Sequence, residues 1–309
     1  MKSIIIDCDP GLDDVVALFL ALAKEDKVKV EAITTVGGNH ILDNVTRNTL
    51  SVLALIKKKI RVAKGAEGPI MRDLTIASEV HGKSGLSGPK YIPEPLYKED
   101  DKSAVEVMRE ILEASKEKIS IVATGPLTNV AMFLKTYPRL REKIQVISLM
   151  GGCSKGGNVT PCAEFNIYVD PEAAHIVFNS GVPIVMSGLD VTHKAQIMRE
   201  EIEEYKDKGV VHNFFAEMIG FYIETSNALG FEGCTLHDPC AVAYLLNPEL
   251  FKGKDALVQV ETKGDLTRGM TVVNFKSKTP NTKVLMDIDR EKFMELIKEA
   301  IETLEDRIK

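Results

Sequence analysis

The sequence predicts an α/β fold: a mostly parallel open sheet with helices on both faces and a few late antiparallel strands. Three observations carry this. Strand-like and helix-like segments alternate from the N-terminus to Ser187, the pattern of a parallel sheet covered on both sides. Three strand-like runs near the C-terminus follow one another closely, as antiparallel neighbours do. No low-complexity linker or internal repeat divides the 309 residues, so residues 1–309 read as one α/β domain with its site beyond the strand ends.

The first element is the apolar run Ile4-Ile5-Ile6, a buried strand. Pro10-Gly11 turns the chain, and the apolar run Val15 to Leu22 is a buried helix. Residues 28–36 read as a second strand, Gly37-Gly38-Asn39-His40 as a loop, and residues 41–57 as a helix. Residues 61–63 form a short strand. Residues 64–101 are rich in Gly and Pro and carry His81-Gly82-Lys83-Ser84-Gly85-Leu86; irregular stretches that long tend to be functional or disordered. A helix over 102–116 leads to a strand at 119–123. Gly125-Pro126-Leu127-Thr128-Asn129 opens the next helix, with Pro in its first turn.

Residues 144–150 are a strand, followed by a Gly-rich segment, Gly151 to Asn158, and a loop over 159–169. Asp170-Pro171-Glu172 starts a helix that ends near Gly181, and residues 183–187 are a strand. Helices over 199–208 and 210–227 follow, and His237-Asp238-Pro239 opens an apolar helix to Leu246. The late strands are placed at 256–262, 269–275 and 282–288, before a helix from 290.

Composition narrows the function. The net charge is −6, from 39 basic and 45 acidic residues, and no basic stretch interleaves with aromatics, which argues against a nucleic-acid surface. No apolar run reaches the roughly 18 residues of a membrane span, and the N-terminus lacks a signal-peptide pattern. The expectation is a soluble, cytoplasmic protein without membrane partners. Five cysteines, at 8, 153, 162, 234 and 240, show neither Cys-x-x-Cys nor zinc spacing and read as reduced thiols.

The informative stretch is Asp7-Cys8-Asp9-Pro10-Gly11-Leu12-Asp13-Asp14. Asp7 and Asp9 share one strand face, with Cys8 on the other, and Asp13 and Asp14 fall at the helix start. Helix capping uses one or two carboxylates, not four. Two such charges about 4 Å apart repel by roughly 4 kcal/mol at an effective dielectric of about 20. A hard divalent cation held by oxygen ligands is the economical compensation.

Elsewhere the polar groups admit two readings. The Gly-rich segment lacks the spacing of a phosphate loop and reads as pliable backbone near a ligand. Asn158, Glu164 and Asn166 either solvate a loop or suit a polyhydroxylated ligand; Glu164 and Asn166 share a face if the chain is extended. His237, beside Asp238 and a helix-opening Pro, is a candidate for proton transfer near neutral pH, and His81 is a weaker one. His193 reads as capping or packing. No chemistry attaches to His40, and His175 and His212 read as helix-surface residues.

An Asp-x-Asp at the end of a first strand also occurs in aspartyl-nucleophile phosphatases. Gly11 stands where that scheme wants Thr or Val, and Pro10 to Asp14 has no place in it. The octapeptide instead resembles the Asp-x-Asp-Pro-Gly-x-Asp-Asp signature of the inosine–uridine-preferring nucleoside hydrolases. Gly38-Asn39, Ala123 to Asn129, Met150-Gly151-Gly152, Ala163-Glu164-Phe165-Asn166 and His237-Asp238-Pro239 resemble further landmarks of that family, in order and at similar spacing.

The resemblance implies hydrolysis of the N-glycosidic bond of a ribonucleoside, with one Ca²⁺ per chain. It places Asp9, Asp14, the Thr124 carbonyl and Asp238 on the metal. It places Asp13, Asn39, Met150, Asn158, Glu164 and Asn166 around the sugar, with Asp7 as a supporting acid. Asp9 is the expected general base, and His237, with His81 assisting, serves the departing base. The resemblance also implies a homodimer or homotetramer. Base preference is assigned to the segment from Phe221 to Thr235, including Thr225, Leu229 and Phe231, and leans to pyrimidine nucleosides with inosine as a further substrate. A non-catalytic Ca²⁺-dependent nucleoside binder on the same fold is the alternative.

Overall fold

The computed structural model describes residues 1–228, 230 and 232–309. The N-terminal elements are β1 (Lys2–Cys8), α1 (Leu12–Ala23), β2 (Val28–Thr35), α2 (Leu42–Leu55), β3 (Val62–Lys64) and the single turn α3 (Ser78–His81). The middle of the chain forms α4 (Ala104–Ala114), β4 (Ile119–Ala123), α5 (Thr128–Thr136), β5 (Ile144–Met150), α6 (Phe165–Val169), α7 (Pro171–Phe178), β6 (Ile184–Ser187) and α8 (Leu189–Thr192). Then come β7 (Gln196–Ile197), α9 (Arg199–Ile202), α10 (Val210–Ala228), β8 (Cys234–Thr235), α11 (Pro239–Leu246), β9 (Phe251–Val260), β10 (Thr271–Asn274), β11 (Thr282–Ile288) and α12 (Arg290–Ile308).

The main sheet runs β10-β9-β11-β6-β5-β4-β1-β2-β3. From β6 to β3 every pair is parallel. All twelve residues of α1 are buried, which explains a helix with no polar face. It packs against α11 and α12, so the acidic turn before it is anchored in the core. The chain steps outward from β1 to β2 and β3, then returns to place β4 on the other side of β1. That reversal opens a crevice beyond the carboxyl ends of β1 and β4, where open α/β sheets bind ligands.

Several boundaries differ from expectation. The late strands are antiparallel to one another as expected, β10 to β9 and β9 to β11, and β11 also pairs parallel to β6, which joins them to the main sheet. Val284 and Leu285 are fully buried there, so β11 is an interior strand reached by a connection that local spacing does not reveal. β9 starts at Phe251, ahead of its apolar part, because Lys252 to Asp255 pair with β11 while their side chains stay exposed. The helix expected over 199–208 shrinks to α9 and a 3₁₀ turn at Glu203–Tyr205. The loop expected over 159–169 contains α6, so Glu164 and Asn166 are not on an extended face. Leu229 and Phe231, assigned to base preference, lie outside the described residues.

Candidate active site

β1 carries Asp7 and Asp9 to the crevice, and the Pro10-Gly11 turn brings Asp13 and Asp14 into the first turn of α1. Asp7 is buried beneath the others. Its Oδ1 accepts from the Thr34 hydroxyl at 2.5 Å and from Asn129 Nδ2 at 2.8 Å, while its Oδ2 has no partner. Burial pushes its pKa up to about 7 against those two hydrogen bonds. Asp9 is fully buried. Its Oδ2 accepts from the Asn39 backbone at 2.6 Å, and its Oδ1 has no partner. A Cβ on Gly38 would stand 2.1 Å from that Oδ2, so only glycine lets the second loop close over Asp9.

Asp14 does take the expected capping bond, accepting from Gly11 N–H at 3.1 Å. The Thr124 hydroxyl donates to its Oδ1 at 2.7 Å and Asn39 Nδ2 to its Oδ2 at 3.1 Å. Asp13 accepts from the His237 backbone at 3.2 Å. Asp238 stands at the start of α11, but its carboxylate makes no capping bond there. It turns instead to the acidic turn: Asp13, Asp14 and Asp238 each offer an oxygen within 4.8 Å of the others. Burial, then the neighbouring carboxylates, push Asp9 and Asp238 well above the ordinary range, and Asp13 up to about 7. Burial also raises Asp14.

The donor set fits a hard cation. Asp13, Asp14 and Asp238 each offer an oxygen within 4.8 Å of the others, Asp9 is buried close enough for these acids to raise it, all of the ligating atoms are oxygens, and Asp9 Oδ1 is buried without a partner among the described residues. The Thr124 carbonyl borders the cluster and accepts from Asn166 Nδ2 at 2.7 Å. Asn166 also reaches the Met150 carbonyl at 3.2 Å, joining the ends of β4 and β5. Glu164 is fixed by backbone donors, Asn166 on Oε1 at 2.9 Å and Gly152 on Oε2 at 2.9 Å. Gly152 has φ +72°, which aims its N–H at that carboxylate. Burial pushes Glu164 up to about 7. Asn158 is set apart: it is exposed on the rim, and its Oδ1 accepts from Phe165 N–H at 3.0 Å.

Two histidines complete the group. His81, at the end of α3, accepts from Leu12 N–H on Nδ1 at 3.1 Å, and its ring centroid lies 6.0 Å from that of Tyr222 on α10. His237 Nδ1 meets the Thr192 hydroxyl at 2.8 Å. Burial lowers both pKa values, to about 4 for His81 and about 3 for His237, so both rings are neutral at physiological pH.

Known proteins resemble this chain along nearly its whole length. A sequence model of the inosine-uridine preferring nucleoside hydrolases matches residues 4–295. The chain belongs to that family. It is therefore a hydrolase of ribonucleoside N-glycosyl bonds. A pyrimidine-specific ribonucleoside hydrolase, RihA, of Enterobacter sp. (strain 638) is 50% identical over 305 residues, 96% of this chain and 97% of the relative. RihA of Salmonella paratyphi C is 50% identical over 306 residues, 97% and 98% of the two chains. Among solved structures, a purine-preferring ribonucleoside hydrolase from Gardnerella vaginalis superposes with a TM-score of 0.93 at 32% identity, covering 100% of both chains.

Several further residues build this hydrolase site, Asn129 from within a landmark stretch and Asn48 and His40 without a motif of their own. Asn129 is buried, donates to Asp7 and the Thr35 carbonyl, and accepts from Ala66 N–H at 2.8 Å. Asn48 Nδ2 bridges the Pro10 and Ser84 carbonyls, each at 3.1 Å, holding the His81 loop onto the acidic turn. His40 braces the same loop through Nε2 and the Lys83 carbonyl at 3.0 Å. His212 is not a helix-surface residue: it is buried, with Nδ1 3.4 Å from the buried Glu305, because α12 covers the start of α10. His175 is exposed as expected.

Proposed function

We propose that this chain hydrolyses pyrimidine ribonucleosides, uridine and cytidine, with inosine as a further substrate, to ribose and free base in a Ca²⁺-dependent reaction. The observation that carries the base preference is 50% identity across nearly the whole chain to relatives named pyrimidine-specific, against 32% to a purine-preferring structure. The oxygen-only donor set supports Ca²⁺.

Asp9, Asp14, Asp238 and the Thr124 carbonyl would hold the ion. Bound Ca²⁺ supplies the positive charge these carboxylates lack and acidifies a neighbouring water. Asp9 accepts the proton of the attacking water on Oδ1, the oxygen with no other partner. Asp13, Asn39, Asn158, Glu164, Asn166 and the backbone at Met150 grip the ribose hydroxyls. As the bond to the anomeric carbon breaks, its electron pair leaves with the base and positive charge grows on the sugar. The surrounding carboxylates stabilise that charge, as in glycoside hydrolysis. His237 and His81 each keep Nε2 without a protein partner among the described residues and offer it to the departing base.

Five free cysteines support residence in a reducing compartment such as the cytoplasm, and no helix among the described residues is long and apolar enough to cross a membrane. The resemblance alone supports a homodimer or homotetramer, which light scattering in solution would measure. The deciding experiment is chromatography of base released from uridine, cytidine, inosine and adenosine, before and after exhaustive chelation. Uracil and cytosine release that chelation abolishes and Ca²⁺ restores is the expected result. No release with Ca²⁺ present, alongside thermal stabilisation by nucleosides, would leave a binder instead.

A further inference from the structure

His237 needs a fixed ring and a fixed proton if it is to serve the departing base, and the structure contains a group that sets both. Thr192 ends α8 and is fully buried. Among the described residues its hydroxyl has one hydrogen-bond partner, His237 Nδ1 at 2.8 Å. A hydroxyl carries one hydrogen and can also accept, whereas a neutral imidazole has one N–H and one bare nitrogen. If Nδ1 carried the proton, the Thr192 hydrogen would be buried with no acceptor. The arrangement that satisfies every group has Thr192 donating to Nδ1 and the ring proton on Nε2.

The backbone around this pair is itself tied down. Thr192 N–H returns to the Gly188 carbonyl at 3.1 Å, Ala195 N–H to Thr192 at 2.8 Å, and Leu236 N–H to Ala195 at 2.9 Å, so the segments before each partner move together. Asp190, two residues before Thr192, accepts from Ser154 N–H at 2.7 Å and from the Ser154 hydroxyl, which fixes α8 to the loop after β5. His81 is set the same way by a different group: Leu12 N–H can only donate, so His81 Nδ1 must accept and its proton also sits on Nε2.

We infer that Thr192 is a positioning residue for the hydrolase reaction: its hydroxyl holds His237 as the Nε2–H tautomer and so presents a hydrogen-bond donor to the leaving base. This rests on the reading that His237 serves the leaving group of a pyrimidine nucleoside. The Nε2–H donor stabilises the electron pair that the base carries away from the anomeric carbon; water supplies the oxygen that replaces it. Thr192 touches neither substrate nor metal ligands and acts only through the ring.

The test compares Thr192→Val, which keeps the shape and removes the hydroxyl, with Thr192→Ser, which keeps the hydroxyl. Each is assayed on uridine and on a 4-nitrophenyl riboside, whose aryl oxygen leaves without help from a donor. Thr192→Val should lower kcat on uridine by about 10- to 100-fold with little change in KM. It should hydrolyse the aryl riboside at the parent rate, and Thr192→Ser should recover uridine turnover. Adding Thr192→Val to His237→Ala should cost nothing further on uridine. Unchanged uridine turnover in Thr192→Val, or equal loss on both substrates, would overturn the role. Absence of uracil release by the unsubstituted enzyme would overturn the substrate reading, a result distinguishable from either.

Discussion

The backbone N–H of Asn39 donates to Asp9 Oδ2 at 2.6 Å, while Oδ1 of the same fully buried carboxylate has no partner among the described residues. The same asparagine reaches Asp14 through Nδ2 at 3.1 Å, so one residue at the end of the second strand sets the spacing of two acids from the end of the first.

Asp9→Asn keeps the size of the side chain and removes its capacity to take a proton. Uridine turnover should fall by at least about 100-fold, the range for loss of a general base. Thermal unfolding in the absence of metal should stay as cooperative as for the parent, since burial already favours the uncharged form of Asp9 and the amide keeps its size. Activity within tenfold of the parent would eliminate Asp9 as the base.

Gly38→Ala places a methyl 2.1 Å from Asp9 Oδ2 and 2.6 Å from Pro126, so either the loop or the carboxylate must move. Overpacking of this kind costs about 1–3 kcal/mol, and activity should drop with stability. Gly220→Ala, within α10, is the contrast: the nearest atom to the new methyl would be Ile202 Cδ1 of α9 at 3.7 Å, and a helical Ala should be neutral or stabilising. Urea titrations of both variants measure the difference.

Chelated protein should lose stability as pH rises from about 4 to about 7. Asp7 and Asp13 are raised to about 7 in the fold, against an ordinary carboxylate near 3.8. In that window the folded state holds protons that the unfolded chain has released, so their contribution is complete below the lower value and gone above the upper. In the proposed Ca²⁺-bound form the cation would replace the protons as the compensating charge. The gap in Tm between Ca²⁺-loaded and chelated protein should therefore widen between pH 5 and pH 8, by on the order of 5 °C or more. A gap independent of pH would show that these carboxylates do not face the metal.

His81→Ala removes the acceptor for Leu12 N–H as well as the Nε2 donor. The stranded amide should cost about 1–3 kcal/mol in urea unfolding, and kcat on uridine should fall with it. Because Leu12 begins α1, hydrogen exchange at that helix start should quicken. Unchanged exchange there would mean the bond contributes nothing to the turn.

Much of this was legible in one dimension. The acid-rich turn, the alternation of strands and helices and the Gly-rich segment after Met150 are signals of neighbouring residues, and the structure places all three at the sheet's carboxyl edge. The late strands were harder. Their close spacing predicts the antiparallel pairs β10–β9 and β9–β11 but not that β11 joins β6, because pairing across the sheet is not set by distance along the chain. His212 looks like a surface histidine and is buried because α12 folds back over α10. Thr192 sits beside the more conspicuous His193, and only its buried hydroxyl marks it.

By itself the sequence determined the fold class and the presence of a compensated cluster of acids, since apolar periodicity, a Pro-Gly turn and four nearby carboxylates act over a few residues. Only the tertiary structure decided which acids meet, which oxygen of Asp9 is free and which nitrogen of His237 holds the proton. His237 and Asp13 are 224 positions apart, and their contact exists because α11 and α1 pack side by side behind the reversal in strand order. Such contacts follow from which strands pair and in what order, a long-range choice that no local stretch of chain encodes.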